Sequence, residues 1–299
     1  MRQCFSIGLF ALLVLSLPGC GGFRDTKPQL PGNLDTLCMP DYASGFEMYR
    51  YDSSTLLRIV NPWQGADSVS QWVFLSRDDE KPPKGFAGET IDVPVRRIVC
   101  MSSSYVAFLE ALGADSTICA ISGTGYIWSD KVRNRIAGGE IAEAGFDNSL
   151  NFEKLVALKP DVVFLYGLTG KNAVTDKLHE LGLKTVYIGD YVENNPLGRA
   201  EWITVFGEFT GRRELARTLF DSISNEYNRA KALVSGVEKR PEVILNAPWQ
   251  DSWFVPGDRS YMVRLLEDAG GNYACRGVDS DQSRPISTET AFVAASQSD

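Results

Sequence analysis

Histidine and basic runs are the features that this chain has least of. Its 299 residues contain one histidine, His179, and no His-Glu-x-x-His motif. Transition-metal sites usually combine several imidazoles or thiolates, so we expect no site for a bare metal ion. The formal net charge is −8 and no run of lysines and arginines occurs, which excludes the basic surface typical of a nucleic-acid-binding protein.

Catalytic motifs are missing as well. The sequence has no P-loop, no Gly-x-Ser-x-Gly elbow and no Gly-x-Gly-x-x-Gly after a predicted strand. His179 falls on the polar side of a predicted helix, next to Glu180, and is interpreted as a surface residue. We therefore predict no catalytic residues and no cofactor, and expect a protein that is not an enzyme.

The six cysteines form no Cys-x-x-Cys pair, which argues against a zinc or redox motif. Cys100 and Cys119 fall in apolar, strand-like runs and are predicted to be small buried hydrophobic residues. A disulfide is compatible with an exported protein, but the sequence alone does not pair the cysteines.

The first 33 residues are predicted to direct and anchor the chain. Residues 1–19, with Arg2 and a short apolar run, are predicted to be a signal peptide because the run is too short to span a bilayer comfortably. The Leu-x-Gly-Cys ending resembles a bacterial lipobox, which makes Cys20 the predicted lipidation site; ordinary secretion is the alternative. Residues 20–33 then form the lipidated end and a flexible tether. We expect the protein in the cell envelope, in the periplasm or on the outer-membrane face.

Four further regions follow. Residues 34–95 are predicted as an N-terminal β segment with strands at 46–51, 55–60 and 71–76, and residues 78–88 as a loop. Residues 96–210 form a predicted α/β lobe, 211–237 a bridging helix and 238–299 a second α/β lobe. In the first lobe, strands are predicted at 97–100, 117–121, 161–165 and 185–188, and helices at 104–112, 152–158, 172–181 and 196–209. Alternating strands and helices predict a parallel sheet with helices on its faces.

The bridging helix is predicted from an apolar residue at every third or fourth position of 212–235 and just beyond. These residues are Leu215, Leu219, Ile223, Tyr227, Ala230, Val234 and Val237. At about 1.5 Å per residue the helix spans roughly 36 Å. Periodicity alone favours a long surface helix, whereas the α/β patterns on both sides favour a bridge between two lobes.

A weak internal repeat relates the two lobes. Residues 149–161 and 285–299 each combine a capping residue, an acidic residue two positions later and an apolar helix. Glu153 and Glu289 occupy matching positions in the first turns, where a negative charge favours the helix dipole. The second lobe is predicted to have a strand at 242–246 and helices at 261–269 and 288–295. Because the second copy stops where its strand is expected, we expect the second lobe to be incomplete.

Candidate ligand contacts follow the predicted strands, because open α/β sheets bind ligands beyond their carboxyl ends. The loops there are rich in glycine, serine and aromatic residues. The predicted contacts are Ser102, Ser103, Tyr126, Tyr166, Trp249 and Trp253. Capping of a helix is the alternative role for the serines, and packing is the alternative for Tyr166 and Trp249.

Taken together, the signal, the tether, the lobes and the bridging helix resemble the substrate-binding lipoproteins of bacterial ABC importers for iron chelates and cobalamin. The segments that carry the resemblance are 96–102, 108–113, 151–163, 181–182 and 206–211, of which Glu153 with Lys159-Pro160-Asp161 is the most specific. The resemblance covers nearly the whole mature chain. It implies two Rossmann-like lobes joined by one helix, with a metal chelate between them.

The resemblance also implies partners. A permease dimer with its ATPase would receive a ferric siderophore, haem or cobalamin, and Glu153 and Glu289 would dock into arginine pockets of that dimer. Small closure around the ligand is expected, because a long helix does not bend sharply without losing backbone hydrogen bonds. Two other interpretations stay open: an enzyme on the same scaffold, and a lipoprotein that captures chelates without a permease.

Overall fold

The fold is a mixed α/β architecture, as the sequence predicts. A computed structural model describes residues 34–146, 149–167, 173–248 and 252–298. The predicted signal peptide, the predicted lipidation site Cys20, the tether and the predicted contact Trp249 lie outside the described residues. Within the described ranges, no helix is both long and apolar enough to cross a membrane.

The N-terminal region forms a five-stranded sheet in chain order. Its strands are β1 (Asp35–Cys38), β2 (Phe46–Tyr51), β3 (Ser54–Val60), β4 (Ser70–Ser76) and β5 (Glu89–Asp92). Neighbours are antiparallel except β4 and β5, which run parallel. The three predicted strands are present within one residue of the predicted ends, and the two outer strands are additional.

The first lobe holds a second five-stranded sheet, which is parallel throughout. Its strands are β6 (Ile98–Cys100), β7 (Ile118–Ile121), β8 (Ala142–Glu143), β9 (Val162–Leu165) and β10 (Thr185–Tyr187), in the order β10-β9-β6-β7-β8. Its helices are α1 (Ser103–Ala111), α2 (Asp130–Ala137), α3 (Phe152–Leu158) and α4 (Ala173–Glu180). The predicted strands, and the predicted helices α1, α3 and α4, are confirmed; α2 and β8 are additional.

The predicted helix at 196–209 is wrong in its continuity, because the segment forms α5 (Pro196–Glu201) and α6 (Ile203–Thr210). Trp202 lies at the junction, fully buried. Its ring contacts Phe46 edge to face with centroids 5.0 Å apart, and its indole nitrogen donates to Glu193 Oε1 at 3.1 Å. The apolar pattern of the segment does not contain these tertiary contacts, so it predicts one helix.

One hydrophobic core serves both sheets. It joins residues of the N-terminal sheet, such as Leu57 and Val73, to Ile98 and Phe164 of the first lobe and to α6. At the junction of the sheets, the Gln71 side-chain amide bonds to the edge of β10. Its Nε2 donates to the Thr185 carbonyl and its Oε1 accepts from the Tyr187 N–H, both at 2.9 Å, as a neighbouring strand would. The N-terminal sheet and the first lobe therefore form one folded body.

The bridging helix is present as α7 (Arg213–Val234), but the predicted apolar stripe is partly wrong. Its fully buried residues are Ala216 and Phe220, whereas Leu215 and Ile223 are 40% and 44% exposed. The reason is that α7 packs against α5 and α6, where Ala216 lies against Gly207. That contact buries the face of α7 that carries Ala216. The approach is close, because a Cβ atom on Gly207 would lie 2.5 Å from the Ala216 side chain.

The second half of α7 contacts the second lobe through polar groups. The Tyr227 hydroxyl donates to Asp268 at 2.9 Å, and the Lys231 ammonium lies 2.7 Å from the same carboxylate. Val234 packs against Gly270, where a Cβ atom would lie only 2.9 Å from the Val234 side chain. Gly270 also has a positive φ of 88°, which glycine adopts readily. Charged and small groups at this end explain why the apolar stripe does not continue.

The second lobe contains two small sheets and two helices. Its elements are β11 (Glu242–Val243), β12 (Trp253–Val255), α8 (Tyr261–Asp268), β13 (Asn272–Tyr273), β14 (Arg284–Ile286) and α9 (Thr288–Ser296). β11 pairs parallel with β13, and β12 pairs antiparallel with β14. The strand predicted at 242–246 is shorter than expected because its partner β13 offers only two residues; Ile244 and Leu245 pack beside the small core instead. Cys100 and Cys119 are buried as predicted, and all four described cysteines are free.

Candidate ligand-binding site

The carboxyl ends of the parallel strands bring four loops to one edge of the first-lobe sheet. They begin at Met101 after β6, at Ser122 after β7, at Tyr166 after β9 and at Ile188 after β10. Beneath them, the Tyr105 hydroxyl lies 3.2 Å from the carbonyls of both Leu165 and Ile188 and holds the ends of β9 and β10 at one level. This edge is the place where a ligand is expected on such a sheet.

The serines after β6 divide between two roles. Ser102 is the N-cap of α1, and its hydroxyl accepts from the Ser104 N–H at 3.3 Å, which is the capping alternative raised above. Ser103 is exposed and borders a cavity beside α1. Of the two predicted serines, the structure therefore leaves Ser103 free to contact a ligand.

The loop after β7 is organised by the carboxylate of Glu143. It accepts from the Gly123 N–H at 3.0 Å, from the Thr124 N–H at 2.8 Å and hydroxyl at 2.7 Å, and from the Gly145 N–H at 3.0 Å. Burial raises the pKa of Glu143, but these hydrogen bonds together lower it by more than burial raises it. The pKa therefore lies below its ordinary value, and the carboxylate stays charged. The loop therefore has a fixed shape.

That fixed loop presents two aromatic rings. Tyr126 is 70% exposed and Trp128 is 92% exposed. Both line a cavity of about 780 Å³ together with Ser103, Ser104 and Lys131. The structure thus brings the predicted contacts Ser103 and Tyr126 together and adds Trp128, which the sequence analysis did not single out. The cavity offers flat apolar area beside hydroxyl groups.

Two tyrosines stand at the ends of β9 and β10. The rings of Tyr166 and Tyr191 contact edge to face, with centroids 6.3 Å apart. The Tyr191 hydroxyl donates to the Gly167 carbonyl and accepts from the Gln64 N–H at 3.2 Å. The predicted contact Tyr166 therefore lies at this edge of the sheet together with Tyr191, which was not among the predicted contacts.

Asp190 directly precedes Tyr191 in the loop after β10 and is 6% exposed. Burial raises the pKa of its carboxyl to about 6, although a hydrogen bond from the Ser104 side chain and the charge of Arg199 lower it. The carboxyl therefore titrates near neutrality, in contact with α1 on one side and the Tyr191 loop on the other.

A second cavity, of about 550 Å³, lies between the lobes. Tyr191 and Arg199 border it from the first lobe, Tyr261 and Ser260 border it from the second, and Gln64 borders it from the N-terminal sheet. The Arg199 guanidinium stacks on the Tyr261 ring at 3.9 Å from its centroid, so a cation–π contact joins the two lobes.

The remaining predicted residues lie in other surroundings. The Trp253 indole packs at the small core of the second lobe and donates to the Leu245 carbonyl at 3.4 Å. His179 is on the surface; its Nε2 lies 2.7 Å from the Thr185 hydroxyl and 3.3 Å from Glu89. In the described part of the chain, no group of three histidine, cysteine or acidic residues could hold a metal ion.

Glu153 and Glu289 occupy equivalent places, as the internal repeat predicts. Asn151 caps α3 by accepting from the Lys154 N–H at 3.0 Å, and Ser287 caps α9 by accepting from the Thr290 N–H at 3.1 Å. Each glutamate is two residues after its cap and is exposed. None of the ion pairs among the described residues involves either one.

Gln64, Trp128, Arg199 and Tyr261 are the cavity residues that sequence reasoning missed. Gln64 follows a strand of the N-terminal sheet, and Arg199 lies in the first turns of a predicted helix. Their positions are separated by over a hundred residues, so only the tertiary structure joins them. Trp128 offered a weak signal, since an aromatic residue shortly after a glycine-rich loop is a plausible contact.

Comparison with known proteins identifies the family. A family model described as "Periplasmic binding protein" matches residues 98–297, so the chain belongs to that family. An uncharacterised lipoprotein of Methanocaldococcus jannaschii is 26% identical over 333 aligned positions, which cover 100% of this chain and 79% of the relative.

Solved structures share the fold at low sequence identity. A periplasmic binding protein from Veillonella parvula is 14% identical with a TM-score of 0.57, covering 77% of this chain and 73% of that one. A periplasmic haem-binding protein from Vibrio cholerae is 20% identical with a TM-score of 0.55, covering 66% and 72%. The family is therefore one of two-lobed binding proteins.

The buried carboxyl of Asp190 generates a prediction about pH. Its pKa of about 6 exceeds the ordinary 3.8, so the folded state binds this proton more tightly than the unfolded state, and its ionisation costs stability as pH rises from 4 to 6. Asp190→Asn is neutral throughout. We expect its free energy of unfolding to match wild type near pH 4 and to exceed it by about 3 kcal/mol at pH 7.

Urea unfolding at several pH values measures this difference. Asp221→Asn, an exposed site on α7, controls for the loss of one carboxylate. A difference between Asp190→Asn and wild type that stays constant from pH 4 to pH 7 would contradict the assignment.

Proposed function

We propose that the protein is the substrate-binding component of an ABC importer and that it takes a metal chelate in the cleft between its lobes. The observation that supports this best is the set of aromatic residues in the loops at the carboxyl edge of the first-lobe sheet: Tyr126 and Trp128 after β7, Tyr166 after β9 and Tyr191 after β10. Tyr126 and Trp128 are exposed on a loop that is otherwise tightly hydrogen-bonded, so their flat faces are available for a ligand. They are preorganised for a rigid ligand.

The ligand class follows from the same surface and from the family. A ferric siderophore, haem or cobalamin is large, rigid and largely apolar with a polar rim, which suits aromatic rings flanked by hydroxyl and amide groups. The similar fold of a haem-binding protein from Vibrio cholerae supports this class. Binding and delivery, rather than catalysis, is the role we assign to the cleft.

The proposal predicts retention of a coloured ligand. The purified protein is incubated with haemin, cyanocobalamin and a ferric hydroxamate siderophore, passed through a desalting column and examined by visible spectroscopy. We expect about one equivalent of one chromophore to remain bound to folded protein and none to the urea-unfolded control. Loss of all three chromophores on desalting would contradict the proposal.

We propose further that the chain is held at the cell envelope by lipid on Cys20. The Leu-x-Gly-Cys ending of the predicted signal and the lipoprotein name of the Methanocaldococcus jannaschii relative support this. Cys20→Ser is expected to move the mature protein from the membrane fraction to the soluble fraction, measured by immunoblotting after detergent-free fractionation. Wild-type protein that is already soluble would contradict lipidation.

Delivery to a dimeric permease is proposed to use Glu153 and Glu289. Their exposed carboxylates, without ion-pair partners among the described residues, stand at matching positions of α3 and α9, as two anchors for a two-fold partner. Glu153→Ala is expected to reduce chelate uptake about tenfold or more, because losing one member of an interfacial charge pair typically costs about 2–5 kcal/mol. Chelate affinity of the purified variant should stay within about twofold of wild type.

Glu226→Ala is the matched control, since Glu226 is an exposed glutamate on α7 whose ion pair among the described residues is with Arg229, one turn along the helix. It should leave uptake unchanged. If Glu153→Ala weakens chelate binding and leaves uptake per bound chelate unchanged, Glu153 belongs to the cleft or to the helix and not to the docking surface.

A further inference from the structure

The N-terminal sheet reaches the ligand edge of the first lobe through one loop. This loop joins β3 to β4 and spans residues 61–69. Trp63 forms an isolated parallel bridge with Gly167, directly after β9, and its ring contacts Tyr187 of β10 with centroids 5.2 Å apart. A Cβ on Gly167 would lie 2.9 Å from the Trp63 ring, so only glycine permits this approach.

The next residue of the loop, Gln64, reaches the cavity between the lobes. Its N–H donates to the Tyr191 hydroxyl at 3.2 Å, and the residue is exposed and borders the cavity of about 550 Å³. The loop precedes the residues matched by the periplasmic binding protein family, which begin at 98. The cavity therefore has a third wall that the family match does not include.

The cavity also contains a cation, Arg199, on which the charges of Asp190 and Glu193 act from beyond ion-pair distance. Arg199 donates to the carbonyls of Tyr191 at 2.6 Å and Glu193 at 3.2 Å, and it stacks on Tyr261. None of the ion pairs among the described residues involves Arg199. Burial lowers its pKa, yet a guanidinium remains charged at neutral pH. A half-buried guanidinium with free donor capacity favours an anionic oxygen ligand.

We propose that the loop of residues 61–69 is part of the ligand site, and that Gln64 and Arg199 together bind a carboxylate group of the chelate. Arg199 neutralises the charge, and the Gln64 side-chain amide supplies a further donor from the wall that the N-terminal sheet forms. From the second lobe, the amide side chains of Asn246 and Gln282 and the carboxylate of Asp281 border the same cavity, so a bound carboxylate is expected on the Gln64 and Arg199 side. The inference rests on the proposed function and adds a ligand chemistry to it.

The test compares probes that differ in their carboxylates. Haemin, which carries carboxylates, is compared with its dimethyl ester, in which they are blocked. Ferric citrate is a second carboxylate-bearing chelate. Ferrichrome and cyanocobalamin are chelates without carboxylates. Binding to the full mature protein is measured by tryptophan fluorescence titration. We expect wild type to bind a carboxylate-bearing probe and, if that probe is haemin, to prefer the free acid over the ester about tenfold or more.

Two variants identify the residues. Gln64→Ala is expected to weaken binding of the carboxylate-bearing probe about fivefold, which is the effect of losing one hydrogen bond. Arg199→Gln should abolish the preference for carboxylate-bearing over neutral probes, a ratio that general loosening of the fold does not change. Asp67→Ala is the matched control, since Asp67 is exposed on the same loop and does not border the cavity.

Each outcome decides between the ideas. If wild type binds a carboxylate probe but Gln64→Ala and Asp67→Ala bind it equally well, the loop is not part of the site. If wild type binds only ferrichrome or cyanocobalamin, or if Arg199→Gln keeps the preference for carboxylates, the carboxylate assignment is overturned while the binding function stands. If wild type binds none of the probes, the proposed function is overturned, and this inference with it.

Discussion

Three buried glutamates fix the N-terminal sheet to the first lobe, and the shape of the cleft depends on them. Glu201 accepts hydrogen bonds from the N–H groups of residues 41–43 at 2.8–2.9 Å, and Glu193 accepts from those of Ser44 and Gly45 at 2.9–3.0 Å. Glu208 accepts from the Thr55 hydroxyl at 3.0 Å and pairs with Arg213. A buried carboxylate is tolerated only when its oxygens are satisfied, and buried N–H groups likewise need acceptors. Glu193 and Glu201 of the first lobe therefore need the N–H groups of residues 41–45, and those N–H groups need the glutamates as acceptors.

This junction explains why a loop of the N-terminal sheet can take part in the cleft. The sheet is bonded to α5 and α6, and its Gln71 amide is bonded to the edge of β10. Residues 61–69 are thereby placed beside the ends of β9 and β10, where Trp63 contacts Gly167 and Tyr187. Two of the three walls of the interlobe cavity then belong to one rigid body. The third wall, on the second lobe, is joined to that body through α7 and the contact between Arg199 and Tyr261.

Local signals predicted the regular elements, and tertiary contacts account for the misses. Helix α3 begins and ends as predicted because Asn151 caps it and Lys159, at a positive φ, stands before Pro160. β5 was missed because Glu89–Asp92 is short and has no apolar alternation of its own, so only pairing with β4 defines it. In the site, Ser103, Tyr126 and Tyr166 were predicted from their places after strands. Gln64 and Arg199 were not, since only the fold brings them to one cavity.

Helix α7 acts mechanically as a lever arm. At its first end, Ala216 lies against Gly207 of α6 and the Phe220 ring contacts Tyr42. Its far half contacts the second lobe through Tyr227, Lys231 and Val234. With 22 residues it is about 33 Å long. A tilt of about 5° at the first end therefore displaces the far end by about 3 Å, comparable to the length of one hydrogen bond. Repacking by a fraction of an ångström at Ala216 is thereby amplified at the opposite wall of the cleft, without any bend in the helix itself.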